Sequence, residues 1–101
     1  MTSFLFIRLS EEQEFKYGIP SEFLKEEYNK TFDLDNFSDI QVVNSAIKFI
    51  EANDPKILFI AENQASIGKL MYLVNYIREK KKKEKVEFIG EHRMFNFLKM
   101  E

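Results

Sequence analysis

The chain contains no cysteine and no tryptophan, and it holds one histidine, two prolines and three glycines among 101 residues. Without cysteine, disulfides, thiolate metal sites and cysteine nucleophiles are excluded. So little glycine and proline leaves no low-complexity segment, and neither a repeat nor an internal linker interrupts the chain. No apolar run approaches the roughly 18 residues of a membrane span. Met1-Thr2-Ser3 also lacks the basic region that opens a signal peptide. The expectation is a soluble, cytoplasmic domain with no membrane span.

What is present is apolar and aromatic. Hydrophobic residues make up 45% and aromatics 15%, with eleven phenylalanines. A chain of this size supports one domain over residues 1–101, with a modest core carried largely by phenylalanine. Net charge is −2, but residues 1–55 hold five basic and eleven acidic side chains, and residues 56–101 hold ten and six. That asymmetry favours association through complementary surfaces. It does not favour nucleic acid, which asks for a stronger and more continuous basic face.

The most informative stretch is Lys56 to Gly90. Ile57-Leu58-Phe59-Ile60-Ala61 is an apolar strand, followed by a polar turn and a helix with the apolar stripe Ile67, Leu70, Leu73, Val74 and Ile77. Val86-Glu87-Phe88-Ile89-Gly90 is a second strand. Two short apolar strands joined by a helix form a parallel βαβ unit with a right-handed crossover. Upstream, Phe4-Leu5-Phe6-Ile7 is a strand buried on both faces. Glu14-Phe15-Lys16-Tyr17 alternates and ends at Gly18, so the first 17 residues suggest a hairpin. Pro20-Ser21 opens a charged surface helix to about Lys30. Ser38 and Gln41 form a capping box for a helix with apolar Val43, Ala46, Ile47 and Ile50, which Asn53-Asp54-Pro55 stops. A last helix from about His92 uses Phe95 and Leu98. The expected fold is a small α/β domain: a mainly parallel or mixed sheet of three to four strands with helices packed on it.

Function in such folds sits at the carboxyl ends of the strands, here Glu62 to Gly68. Ser66-Ile67-Gly68-Lys69 invites comparison with a phosphate-binding loop. The loop needs glycine at position 63 and a hydroxyl at position 70, where Asn63 and Leu70 stand, so a nucleoside-triphosphate P-loop is not expected. Free amides at that helix start still suit an anion, while the plainer reading makes Ser66 a helix cap. Lys80 to Lys85 reads as a solvated helix end, with no aromatics interleaved as a base-stacking surface requires. His92, beside Glu91, reads as a helix-start or surface histidine, since no nucleophile accompanies it. Asp33, Asp35 and Asp39 resemble an acidic loop but lack the glycine and distal glutamate of a calcium loop. Tyr72 and Tyr76, one turn apart, are either an interface pair or core residues under the last helix. No catalytic set, metal-ligand cluster or cofactor motif is complete.

The strand Ile57–Ala61, the turn Ser66-Ile67-Gly68, the helix start Leu70-Met71-Tyr72-Leu73-Val74 and the strand Val86–Gly90 together resemble a STAS domain. This is the module shared by anti-sigma-factor antagonists and the cytoplasmic parts of sulphate transporters. The helix from Ser38 to Asn53 matches its first helix, and the interval from Gly68 to Gly90 suits it. Ala65 stands where that family has aspartate, Ile67 replaces one of its two hydroxyl residues, Lys69 replaces leucine, and residues 18–37 are an added segment. The resemblance covers about residues 38–101. It implies a non-enzymatic regulatory module that docks a protein partner, with Ser66 at a position that is phosphorylated in the family. The docking candidates are Asn63, Gln64, Ser66, Gly68 and Lys69, on the turn and the helix after it. Two alternatives stay open: a small-molecule, nucleotide or anion site at the same strand end, and an enzyme completed across an oligomer interface. Self-association into a homodimer stays open as well.

Overall fold

In a computed structural model of the chain, residues 3–11, 30–80 and 83–99 are described. Among them the order is β1 (Ser3–Leu9), β2 (Lys30–Asp35), α1 (Ile40–Asn53), β3 (Lys56–Ala61), α2 (Leu70–Glu79), a short 3-10 turn (Lys83–Lys85), β4 (Val86–Ile89) and α3 (Arg93–Lys99). The four strands form one sheet in the order β2-β1-β3-β4, and every pairing is parallel. The expected α/β domain with helices packed on a parallel sheet is what the chain adopts.

Two elements differ from the sequence reading. β1 has β2 on one edge and β3 on the other, both parallel, so it has no edge free for a hairpin partner. The expected strand Glu14–Tyr17 and the helix from Pro20 lie outside the described residues. β2 falls where the sequence suggested an added segment and an acidic loop. Its alternation of Thr31, Asp33 and Asp35 with Phe32 and Leu34 is that of a strand with one buried face. Leu34 is buried, and the Phe32 ring lies 5.6 Å from that of Phe49 on α1.

Strand periodicity sorts the core. Leu5, Ile7, Leu9, Leu34, Ile57 and Phe59 face one side, and the stripes of all three helices pack on them: Val43, Ala46 and Ile50, then Leu70, Leu73, Val74 and Ile77, then Met94, Phe95 and Leu98. Phe59, Phe88 and Phe95 form an aromatic cluster, with centroid separations of 5.9, 6.1 and 4.6 Å. Phe4, Phe6 and Leu58 point to the other face and form a second buried cluster.

Helix boundaries follow local chemistry, with shifts. The cap of α1 is Asp39, whose carboxylate accepts from the Val42 amide at 3.0 Å; the Ser38 hydroxyl instead accepts from the Asp35 amide. The capping box therefore does not form, because the Ser38 amide is already donated to the Asp35 carbonyl. Asp54 ends α1 in a left-handed conformation (φ 47°), donating its amide to the Ile50 carbonyl. The Lys85 ammonium reaches both the Asp54 carbonyl and its carboxylate. That cation complements the carbonyl end of α1 and ties the approach of β4 to it.

Candidate functional site

The carboxyl ends of the strands carry the turns. After β2, the chain folds back through Asp35, whose carboxylate accepts from the Phe37 amide at 2.9 Å and whose carbonyl accepts from the Ser38 amide. This Asx turn places the Asn36 side chain over the ends of its neighbours. Its Oδ1 accepts from the Ser10 amide, and its Nδ2 donates to the carbonyls of Ser10 and Ser66. One side chain thus joins the ends of β1 and β2 to the turn that precedes α2.

Strand order reverses direction between β1 and β3, and in doubly wound sheets the crevice there is where ligands bind. In this protein three contacts join the two strand ends across it. The Glu62 amide donates to the Leu9 carbonyl, Asn63 Oδ1 accepts from the Glu11 amide, and Arg8 pairs with Glu62. Every buried side-chain nitrogen and oxygen among the described residues has a partner. No group of three or more His, Cys, Asp or Glu among those residues is placed to hold a metal ion.

The five candidate residues divide. Asn63 and Gln64 are used by the fold: Asn63 as above, and Gln64 by donating to the Glu91 carbonyl and accepting from the Arg93 amide at 3.1 Å. Ser66, Gly68 and Lys69 face outward. Ser66 is not a helix cap. The helix begins at Leu70, Lys69 occupies the cap position without a side-chain bond, and the Ser66 hydroxyl bonds to no described residue. The amides of Leu70, Met71 and Tyr72 donate instead to carbonyls three residues back. They are therefore not free for an anion. Gly68 makes this entry possible, with φ +54° and a position at which a Cβ would lie 2.8 Å from the Asn36 carbonyl oxygen.

His92 is buried, not on the surface, and it starts α3. Its Nδ1 accepts from the Met94 amide at 3.0 Å, and its Nε2 donates to the Ala65 carbonyl at 2.6 Å. Both nitrogens are engaged in structure, and the ring lines the groove between the turn and α3. The two tyrosines separate: Tyr76 packs partly on the core, while Tyr72 is exposed.

Sequence reasoning missed Phe37, Met71 and the role of Asn36. Phe37 is 43%, Met71 45% and Tyr72 57% exposed, and with Gly68 and Lys69 they line one open groove beside the turn. A second open groove lies between α2 and α3, lined by Ile67, Met71, Met94, Phe97 and Arg93. Met71 belongs to both. The signal for Asn36 was the Asp-Asn-Phe-Ser sequence, a turn-forming set directly after an alternating stretch.

No family model matches the chain, and no curated protein or solved structure matches it either.

Proposed function

We propose that the protein is a non-enzymatic interaction module that docks a partner protein through the Gly68–Lys69 turn and the first turn of α2. The observation that carries this reading is the clustering of Phe37, Met71 and Tyr72, all large and all exposed, around a turn locked in place by Asn36. Contiguous exposed apolar side chains rimmed by polar ones mark interaction surfaces. Tyrosine, methionine and phenylalanine are the residue types enriched there. A rigid turn also keeps the ordering cost of binding low.

The likeness to STAS modules is part of the proposal. What supports it is the run of strand, outward turn, helix and strand from β3 to β4, with Ser66 exposed on that turn. In this reading Ser66 is a phospho-acceptor candidate, the partner is a protein and not a nucleic acid, and the setting is the cytoplasm. Among the described residues no helix is long and apolar enough to cross a membrane. The alternative, a small-molecule site at the strand ends, has less room between β1 and β3, whose ends are hydrogen-bonded to each other.

The test is affinity capture from host lysate with the wild-type chain, Tyr72→Asp, and the control Ile89→Asp at an exposed site on β4. Melts establish that both variants fold. A protein retained by the wild type and the control but lost with Tyr72→Asp carries the reading. Equal retention by all three moves the docking face elsewhere.

A further inference from the structure

Resting on that docking reading, we infer that the groove between α2 and α3 receives an acidic segment of the partner carrying an apolar side chain. Ile67, Met71, Met94 and Phe97 give the groove an adaptable apolar part, since methionine fills irregular contacts readily, and Gln64, Ser66 and His92 line the rest. The charge on its walls has one sign. Arg93 lines the groove, and no aspartate or glutamate does. The Arg78 guanidinium does not line the groove itself but stacks 4.2 Å from the centroid of the Phe97 ring, which does. Neither arginine is in an ion pair with a described residue. Glu79 is adjacent to Arg78 in sequence, but neighbours on a helix do not face each other, so it does not neutralise the guanidinium.

An arginine stacked on an aromatic ring is oriented while its N–H edge stays free, which is the arrangement that takes a carboxylate in a paired hydrogen bond. Arg93 on the wall, with Arg78 behind a lining ring, complements a peptide that alternates acidic and apolar residues. Openness argues for a segment of chain over a small acid. Small ligands are held by enclosure of most of their surface, whereas this groove is open along its length and runs into the exposed Met71. A helix or extended peptide laid between two helices uses such a surface. Nucleic acid is the poorer fit, because two arginines beside a methionine-lined floor do not make the continuous basic track that a phosphate backbone follows.

The experiment is selection of a random peptide display library on the immobilised full chain, followed by anisotropy of the enriched peptides with wild type, Arg78→Gln and Arg93→Gln. Both arginines are exposed, so the variants should melt with the wild type. The expected result is enrichment of net-acidic peptides bearing Phe, Leu or Met, each arginine change weakening binding by about fivefold, with further weakening in salt. No enrichment, neutral or basic winners, acidic winners held equally by both glutamine variants, or displacement by a single-stranded oligonucleotide at equal concentration would overturn the inference. The two proposals separate cleanly. A lysate partner lost with Tyr72→Asp but retained by both glutamine variants leaves the docking face standing and removes the acidic groove. Arginine-dependent acidic peptides, with a lysate partner indifferent to Tyr72→Asp, do the reverse.

Discussion

Replacing Phe59 with alanine tests the central packing of the fold. The side chain has no exposed surface, and it lies mid-strand in β3, paired across to Ile7 of β1 and Phe88 of β4. Removing the ring forfeits about 2–3 kcal/mol of apolar transfer. It also removes two aromatic contacts, to Phe88 at 5.9 Å and Phe95 at 6.1 Å. Such pairs contribute about 0.5–1.5 kcal/mol each. Strands on both sides hold the walls apart, so the cavity collapses only partly, and the expected loss is about 3–5 kcal/mol. Set against a total of about 5–15 kcal/mol, that is a large fraction of the stability. Urea unfolding followed by far-ultraviolet circular dichroism measures it, with the slope checked for constancy between variants. Phe37→Ala is the matched control at an exposed site and should stay within about 0.5 kcal/mol. A Phe59→Ala loss below about 1.5 kcal/mol at unchanged slope would refute the reasoning. The ring would then not be enclosed by β1, β4 and α3.

Gly90 has φ +85°, and a Cβ there would sit 2.2 Å from the Ala61 carbonyl oxygen. Gly90→Ala should therefore cost at least about 2–4 kcal/mol, and a melt within a degree or two of wild type would show that the ends of β3 and β4 do not approach so closely. Asn36→Ala removes three side-chain hydrogen bonds, to the Ser10 amide and to the carbonyls of Ser10 and Ser66, and should cost about 1–3 kcal/mol, with faster hydrogen exchange at Ser10. Asn36→Asp, which keeps the acceptor but not the donors, should cost nearly as much; an Asp variant of wild-type stability would show that the Ser66 contact is idle. Asp39→Ala should cost about 0.5–2 kcal/mol as a lost cap. Ser66→Ala should stay within about 0.5 kcal/mol, and the opposite ranking in urea melts would return the capping role to Ser66.

The elements that sequence alone determined are those whose signal is local. The runs Phe4–Ile7 and Ile57–Ala61 are apolar without interruption because both faces of a central parallel strand are buried, and β1 and β3 are the two central strands. The stripes of α1 and α2 follow from the 3.6-residue period, and Pro55 ends α1 by stereochemistry. The position of the turn was legible for the same reason, since a polar turn between a buried strand and an amphipathic helix falls at a strand end wherever the strand goes. What only the tertiary structure decided depends on which strands are neighbours. β2 is an edge strand that buries Leu34 fully and Phe32 partly, so its four polar positions outweighed them in the sequence pattern. Its parallel register with β1 brings Asn36 to Ser10 and Ser66, residues 26 and 30 positions away, and with Asn36 comes Phe37. His92 likewise owes its burial to the Ala65 carbonyl, 27 residues distant. Periodicity along a chain records which face of an element is wet. The identity of the neighbour across a sheet is set by register and topology, so the turn was visible in the sequence and the apolar face built around it was not.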